Sequence, residues 1–211
     1  MNKFFLLWIV IACLLILGGK EVTMAQQKEI QLPQPKTKSE VSLEEAIVKR
    51  RSVRSFTPKD LSMEEISQIL WAAQGITGKG GFRAAPSAGA LYPMELYLLS
   101  KDGLFHYVPK KHKLEVLGSE DLRGKLARAA LGQSSVKNAA IDIVICGVPD
   151  RITKKYGERG IRYMYIEAGH IAQNIHLQAV ALGLGSVPIG AFNDKEAVSY
   201  THLTLPTKRI V

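Results

Sequence analysis

One long helical pattern constrains the fold of this chain more than any other feature of its sequence. Residues 162–182 place apolar side chains at helical spacing, and small residues such as Ala168, Gly169 and Ala172 lie among them. The pattern leaves little purely polar face. A helix of this kind is normally buried, within a domain or between subunits, so the rest of the chain must pack around it.

Apolar segments typical of strands flank this helix along the chain. With 211 residues, 46% of them apolar, the chain is long enough to form one domain with a substantial core. The segments that are apolar enough to lie inside a sheet are residues 94–99, 104–108 and 141–148, and residues 186–190 form a further candidate strand.

Three serines mark candidate helix starts. Ser42 and Ser62 are each followed three residues later by glutamate, which is the pattern of a capping box. Ser119 is a candidate cap for a third helix that would run to Ala130. The sequence therefore predicts two short helices before the strand-rich part of the chain and one within it.

The N-terminal residues have the pattern of an export signal. A basic start is followed by an apolar run over residues 4–17, and Ala25 completes a small-x-small cleavage site before Gln26. We expect residues 1–25 to be a signal peptide, residues 26–40 to be a linker, and the chain to be exported, periplasmic or extracellular. The alternative is an uncleaved membrane anchor, although the run is shorter than the roughly 20 residues of a spanning helix.

The C-terminal end departs from the pattern of the preceding residues. Residues 199–207 have no helical periodicity, and they resemble the translated read-through of a transposon adapter used in shotgun sequencing. We interpret residues 198–211 as a non-native tail and residues 41–197 as a C-terminally truncated domain. The alternative is a genuine edge strand at residues 201–205.

The charge of the chain favours a small anionic ligand over nucleic acid. Residues 26–197 carry 24 basic and 18 acidic residues, a net charge of about +6, but the charges are dispersed. The exception is a compact set of donors at the predicted end of a helix, suited to an oxyanion such as phosphate. A solvated basic turn is the alternative. The set comprises Arg50, Arg51, Ser52 and Arg54.

Residues 85–93 form a second informative stretch. Small residues between Pro86 and Pro93 give a loop whose backbone can approach something flat and bulky, and Ser87 can hydrogen-bond a ligand. The stretch leads directly into the predicted strand at residues 94–99, so we expect it to border a ligand site.

Several other candidate binding motifs in the sequence are incomplete. Gly183 and Gly185 are followed by Pro188 where a dinucleotide fingerprint has its third glycine. Glu167 and His170 form only one Glu-x-x-His pair, whereas a carboxylate-bridged dimetal site needs two, so we predict no metal site. Outside the predicted signal, Cys146 is the one cysteine, and its apolar strand predicts a buried structural thiol.

Three stretches taken together and in this order resemble the nitroreductase family, in particular its azoline-oxidase-like (thiazole/oxazole dehydrogenase) branch. They are the arginine-serine cluster at residues 50–54, the loop at residues 85–93 and the glycine-rich stretch at residues 183–192. The resemblance covers about residues 41–197. It implies an α+β fold, a three-layer α-β-α sandwich with a central mixed, mostly antiparallel sheet, and an intertwined homodimer with FMN at its interface.

The resemblance also implies roles for individual residues. The arginine-serine cluster would hold the FMN phosphate and the nearby flavin edge. Pro86, Ser87, Ala88 and Gly89 would border the isoalloxazine ring. The stretch formed by Pro188, Ile189, Gly190 and Ala191 would place backbone donors, from the residues after the proline, near N5 and O4.

Lys155 and Tyr156 match the acid-base pair of the azoline-oxidising members. Either side chain is a weak base until its surroundings lower its pKa, and the alternative is a solvated basic loop ahead of the long helix. Ala90 and Tyr92 depart from the polar residues of nitro-reducing relatives. The resemblance therefore implies an FMN-dependent oxidoreductase acting on a small-molecule or peptide-derived substrate, with an external electron acceptor.

Two alternatives stay open. One is an NAD(P)H-dependent nitro or quinone reductase, and the other is a non-catalytic flavin-binding protein. Export favours substrate oxidation with an external electron acceptor over the NAD(P)H-dependent reductase, because NAD(P)H is expected inside the cell.

Overall fold

The computed structural model describes residues 28–200 and 209–210. Seven α-helices and six strands are found in these ranges, together with short 3₁₀ helices at Ala88–Ala90 and Pro109–Lys111. In chain order they are β1 (Glu29–Gln31), α1 (Leu43–Lys49), α2 (Met63–Gln74), β2 (Met94–Ser100), β3 (Gly103–Val108), β4 (Lys113–Gly118), α3 (Arg123–Ala129), α4 (Ser134–Lys137), β5 (Ile141–Gly147), α5 (Asp150–Tyr156), α6 (Arg159–Ala181), α7 (Asp194–Tyr200) and β6 (Arg209–Ile210).

The strands form one sheet in the order β1-β4-β3-β2-β5-β6. Every pair of neighbouring strands is antiparallel, and β2 lies at the centre, where Leu96 faces Tyr107 on β3 and Ile145 on β5. A parallel bridge joins Ser52 to Ser186 apart from these strands. The expected antiparallel character is confirmed, and this bridge is the parallel pairing among the described residues.

The two faces of the sheet bury separate cores. Because side chains alternate along β2, Leu96 and Leu98 pack toward α2 and α6, while Tyr97 and Leu99 pack toward α3 and α7. Helices therefore cover both faces of the sheet, which confirms the predicted α+β, three-layer α-β-α sandwich. Cys146 lies fully buried in the second core, as its apolar strand predicts.

The helix predicted at residues 162–182 is present as α6. Its 23 residues begin three positions earlier than predicted, and Met164, Ala168 and Ile171 are buried against the sheet. The opposite side of the same helix is open, since Tyr165 and Ile166 are about half exposed in the single chain.

The segment predicted as a linker contributes to the sheet and the core. Residues 29–31 form β1 on the edge of β4, and Leu32 is only 2% exposed. Ser67 Oγ donates to the carbonyl of Pro33 at 2.6 Å and lies 2.8 Å from His112 Nε2. The two prolines gave the segment the composition of a linker, but edge pairing with β4 fixes its path.

Two local predictions were wrong. Ser119 does not cap a helix, because α3 begins at Arg123, whose backbone N–H is bonded to Asp121 Oδ1 at 3.1 Å. Residues 186–190 do not form a strand beyond the single bridge at Ser186. In contrast, the capping box at Ser62 is complete, and the side chain of Ser42 also accepts a hydrogen bond as predicted.

The predicted signal at residues 1–25 and most of the tail at residues 198–211 lie outside the described ranges. Within those ranges, no helix is long and apolar enough to cross a membrane.

Candidate functional site

The parallel bridge between Ser52 and Ser186 joins two of the three stretches singled out in the sequence. The backbone N–H of Val53 donates to the carbonyl of Ser186 at 3.0 Å. A Cβ atom on Gly185 would lie 2.9 Å from Val53 Cγ1, so the approach requires glycine at this position. The arginine-serine cluster and the glycine-rich stretch therefore lie side by side, although they are far apart in sequence.

His176 belongs to the same junction, and the sequence did not indicate it. Its Nδ1 atom lies 2.7 Å from Ser186 Oγ, and its side chain is 6% exposed. Burial lowers the pKa of His176, and the positive charge of Arg50 lowers it further. The neutral imidazole fixes the Ser186 hydroxyl next to the arginine cluster.

The arginines of the cluster are not equivalent. Arg51 Nη1 donates to the carbonyls of Val48 and Arg50, at 3.0 and 2.6 Å, and so closes the C-terminal end of α1. Arg50 is half-buried beside His176, while Arg54 is exposed. Of the three, Arg50 is the one that the structure brings to the Ser186 junction.

A cavity of about 740 Å³ opens beside this junction, between α6, β5 and the loops at residues 53–61 and 183–192. Its volume lies in the range of small-molecule and cofactor sites. Pro188, Ile189 and Gly190 of the predicted amide-bearing stretch line it, whereas Ala191 and the arginine-serine cluster do not. Within the described part of the chain, the backbone N–H groups of residues 189–191 donate no hydrogen bond, so they can serve a ligand.

The loop at residues 85–93 has a tightly fixed backbone. Ser87 Oγ accepts from the backbone N–H of Tyr92 at 2.9 Å, and a 3₁₀ turn lies between them. Gly89, Ala90 and Tyr92 all have positive φ, an uncommon conformation for the two non-glycine residues. Such local strain is frequent at ligand sites.

The same loop lies against the predicted acid-base pair. A Cβ atom added to Gly89 would lie 2.7 Å from Tyr156 Oη and 2.9 Å from Lys155 Nζ. Gly89 thus leaves room for both side chains. Lys155 and Tyr156 lie on the last turn of α5 and not in a loop, and the ring of Tyr156 packs edge-on against Tyr163 at 5.1 Å.

Ionic and polar contacts hold α5 against the loop. Arg151 Nη1 lies 2.5 Å from Glu95 Oε1 and donates to the carbonyl of Tyr92 at 3.4 Å. Burial raises the pKa of Glu95, but hydrogen bonding to His106 and the nearby charge of Arg151 outweigh burial and lower it to about 2. The ionised Glu95 therefore fixes the start of α5, and with it the direction of Lys155 and Tyr156.

Behind the loop lies a buried polar cluster that the sequence reading did not identify. Gln74 Nε2 donates to Glu167 Oε1 at 3.3 Å, and Arg83 Nη1 donates to Gln74 Oε1 at 3.2 Å. The guanidinium of Arg83 lies 4.6 Å from the centre of the Tyr92 ring. The sequence indicated Glu167 only as part of an incomplete Glu-x-x-His metal motif.

The two groups of predicted residues occupy different levels of α6. Ser87 lies beside Glu167, whereas Ser186 is bonded to His176, about nine residues or about 14 Å farther along the helix axis. The cavity beside Ser186 is lined by Pro188, Ile189 and Gly190 but not by the loop or by Lys155 and Tyr156. The predicted site residues of one chain therefore fall into two separate groups, which we call half-sites.

No metal centre is evident in the described ranges. Within residues 28–200 and 209–210, no three histidine, cysteine, aspartate or glutamate side chains are grouped so that they could hold an ion.

The chain is similar in sequence both to a protein with a nitroreductase name and to a microcin-processing protein. It matches the nitroreductase family model over residues 47–211. It is 42% identical over 179 residues to MJ1384 of Methanocaldococcus jannaschii, which carries a nitroreductase name, across 82% of this chain and 89% of that protein. It is 31% identical over 137 residues to the microcin B17-processing protein McbC of Escherichia coli, across 59% of this chain and only half of McbC.

Solved structures agree with these relationships. A crystal structure of a protein with a nitroreductase name from Ralstonia eutropha JMP134 has a TM-score of 0.79 at 28% identity, covering 87% of this chain and 85% of that chain. A chain of the E. coli microcin synthetase McbBCD complex with truncated pro-MccB17 bound has a TM-score of 0.65 at 24% identity, covering 99% and 82%. Because the family model spans most of the sequence, and a relative with 42% identity aligns over most of both proteins, this chain belongs to the nitroreductase family.

Proposed function

We propose that this chain is an FMN-dependent oxidoreductase of the azoline-oxidase-like kind, which transfers a hydride between a small-molecule or peptide-derived substrate and flavin N5. The observation that carries the proposal is the approach of Gly89 to Lys155 and Tyr156, because these two residues, the proposed acid-base pair, lie against the loop that we propose as the flavin wall. The similarity to McbC, which is named for microcin B17 processing, supports the substrate class.

The donors of the chain fit a cofactor of this kind. Nitroreductase-family proteins typically bind flavin. Arg50 and the Ser52 hydroxyl offer a cation and a hydrogen-bond donor for a phosphate. The backbone N–H groups of residues 189–191, which donate no hydrogen bond within the described part of the chain, lie next to a cavity with many apolar residues. These amides would stabilise electron density on a flavin edge without a charged side chain.

Lys155 and Tyr156 would handle the proton of the reaction. When a substrate is dehydrogenated, a hydride leaves one atom and a proton leaves its neighbour, and bound FMN supplies the hydride acceptor. One member of the pair would accept the proton, and the Arg151–Glu95 contact holds α5 so that both side chains lie against the loop. In the reverse direction the same pair donates the proton.

The separation of the half-sites supports a homodimer. Since the cavity of one chain is not lined by its own loop at residues 85–93, a second copy would bring that loop, with Lys155 and Tyr156, to the cavity. Mixed dimers test this arrangement. Co-expressed Arg50→Ala and Tyr156→Phe chains should regain activity in one of the two sites of each heterodimer, and no recovery would contradict a shared site.

An FMN titration followed by fluorescence quenching tests the cofactor. Arg50→Ala combined with Ser52→Ala should raise the dissociation constant for FMN at least about tenfold, because a phosphate loses charge-assisted hydrogen bonds. Lys49→Ala is the matched control, since Lys49 is exposed at the same helix end and pairs with Glu45. Equal affinity of the double variant and the wild type would favour the solvated-turn interpretation.

A second experiment tests the acid-base pair. Lys155→Ala and Tyr156→Phe should each lower kcat by about 100-fold while FMN affinity stays near that of the wild type. Lys154→Ala, which removes the exposed neighbouring cation, should change neither quantity. Full activity in both Lys155→Ala and Tyr156→Phe would exclude the proposed roles.

The second candidate function is NAD(P)H-dependent reduction of nitro or quinone compounds. The nitroreductase name of the M. jannaschii relative favours it. Anaerobic addition of NADPH to the FMN-loaded chain separates the two, because bleaching of the flavin would favour the reductase. Flavin that is bound but reduced by neither NADPH nor azoline-containing peptides would indicate a non-catalytic binding protein.

We also propose that the chain works outside the cytoplasm, on the strength of its N-terminal residues. Cell fractionation and N-terminal sequencing would test this. Cleavage after Ala25 is expected for an exported chain, while an intact N-terminus in the membrane fraction would indicate an anchor.

A further inference from the structure

Glu167 is a buried carboxyl group that the proposed reaction does not use. It lies on α6 behind the loop at residues 85–93 and is 1% exposed. Gln74 Nε2 donates to its Oε1 at 3.3 Å, while its Oε2 has no hydrogen-bond partner of normal geometry within the described residues. A buried carboxyl group that is only half satisfied is costly, which argues against a purely structural role.

The charges around Glu167 do not include a direct ion pair within the described part of the chain. Arg83 reaches it only through Gln74. Burial raises the pKa of Glu167, and the Ser87 hydroxyl, Gln74, Arg83 and the Met94 backbone amide oppose that rise only in part. The carboxyl group can therefore hold a proton at a higher pH than an exposed glutamate.

Ser87 is the hydroxyl residue beside Glu167, although no hydrogen bond of normal geometry joins the two side chains. Its residue is half-buried, in a loop whose neighbouring residues Pro86 and Gly89 are exposed. The backbone N–H of Tyr92 occupies one lone pair of Ser87 Oγ, at 2.9 Å, which leaves the hydroxyl proton for another acceptor. The other groups around the carboxyl, an amide side chain and a backbone N–H, are poor proton carriers at neutral pH.

We propose that Glu167 is a proton reservoir for the site and exchanges a proton, through the Ser87 hydroxyl, with a carbonyl or ring nitrogen of a bound planar heteroaromatic ligand. This rests on the proposed function. In the forward step the Glu167 O–H bond breaks and a new Ser87 O–H bond forms. The original Ser87 O–H bond breaks as the ligand gains its proton, and Glu167 is left ionised. The reverse step restores it, and no electrons are transferred. Glu167 is thus a positioning residue that acts through Ser87.

Infrared titration of the full chain tests the proposal through the carbonyl band of the protonated carboxylic acid. A component that titrates above the range of ordinary glutamates should be present in the wild type without ligand and absent in Glu167→Gln, whereas the band of Asp142, whose pKa burial also raises, should be common to both spectra. The matched control is Glu158→Gln, which removes an exposed carboxylate next to the start of α6 and should leave the Glu167 component unchanged. The titration of the wild type uses no variant, so its outcome does not depend on whether a variant folds.

Binding of FMN should then move the midpoint of the Glu167 component by about one pH unit in the wild type. The shift should be lost in Ser87→Ala and restored in Ser87→Thr, which keeps a hydroxyl. A purely structural role for Glu167 would give no such dependence on the Ser87 hydroxyl. Absence of the Glu167 component, or a midpoint that FMN does not move although it binds, would overturn the inference while leaving the proposed function intact. Failure of FMN to bind the wild type would overturn both.

Discussion

Gly89 is the residue at which loop and acid-base pair meet, and two constraints act on it. Its φ of 62° is unfavourable for a side chain, and an added Cβ would collide with Tyr156 Oη and Lys155 Nζ. We expect Gly89→Ala to displace both side chains, to lower kcat at least about tenfold and to cost about 1 kcal/mol of unfolding free energy. Steady-state kinetics and denaturant unfolding measure the two effects.

Gly124→Ala is the control for that substitution. Gly124 lies in α3, and an added Cβ would meet nothing within 4 Å. Alanine should therefore stabilise the helix by up to about 1 kcal/mol without changing activity. If Gly89→Ala left activity unchanged, as expected for the control, the contact of Gly89 with Lys155 and Tyr156 would not be needed for activity.

His106 should make stability depend on pH near neutrality. It lies between two carboxylates, with Nε2 2.8 Å from Glu95 Oε2 and Nδ1 3.3 Å from Glu115 Oε2. Burial acts to lower the pKa of His106, but the two carboxylates outweigh it and raise the pKa. The stabilisation from the imidazolium is therefore complete below the unfolded pKa of about 6.5 and is lost as the pH rises through the folded pKa.

His106→Gln should accordingly destabilise the protein more at pH about 5.5 than at pH about 8.5, as measured by urea unfolding across that range. His170→Gln, which changes an exposed histidine on α6, should show no such trend. A loss of stability from His106→Gln that is the same at every pH would mean that packing and not charge accounts for it.

At the scale of elements, two serines that were both predicted to cap a helix differ, because one forms the cap and the other does not. Ser62 forms a complete capping box, since Glu65 N–H donates to Ser62 Oγ at 3.2 Å and Glu65 Oε2 accepts from Ser62 N–H at 2.7 Å. Ser62→Ala should cost about 1 kcal/mol in thermal or denaturant unfolding. Ser119→Ala should change stability by less than about 0.5 kcal/mol, and an equal loss in both variants would contradict the assigned caps.

The helices and strands that the sequence predicted well have local causes. The side-chain cap at Ser42, the capping box at Ser62 and the apolar pattern at residues 94–99 specify their elements within a few residues. The wrong predictions for residues 186–190 and for the linker that contains β1 concern segments whose partners are distant in sequence. The segment at residues 186–190 meets a strand-like partner only at Ser52, and β1 exists because β4 offers it an edge.

The candidate site can be divided in the same way, into residues that the sequence indicated and contacts that depend on distant parts of the chain. Sequence alone indicated Arg50, Ser52, Gly89, Lys155 and Tyr156 as separate motifs. It could not show that Gly89 lies against Tyr156, or that Ser52 lies beside Ser186, because both contacts arise from tertiary packing. Glu167 and His176 were missed since a buried titratable residue on a helix has no distinctive spacing.

For the whole molecule, an apolar patch on α1 bears on the proposed dimer. Leu43, Ile47 and Val48 are 61%, 54% and 69% exposed in the single chain, and α1 packs beside α6. Such a patch is typical of an interface. Ile47→Glu together with Val48→Glu should therefore convert dimers to monomers in sedimentation velocity and weaken FMN binding, because one chain holds only part of the site.

Leu131→Glu provides the comparison, since Leu131 is 71% exposed in the turn after α3. It introduces one negative charge at an exposed apolar position, compared with two in the double variant, and should leave the sedimentation coefficient unchanged. Dimers that persist in the double α1 variant would place the interface elsewhere.

The single helix α6 carries both half-sites, and this limits the sequence changes that the protein can tolerate. Each residue added to a helix turns everything after it by about 100° and advances it by about 1.5 Å. An insertion between Glu167 and His176 would rotate one half-site relative to the other and leave every contact within each half intact. Natural length variation should therefore accumulate in the surrounding loops, while the helix segment between these two residues keeps a constant length.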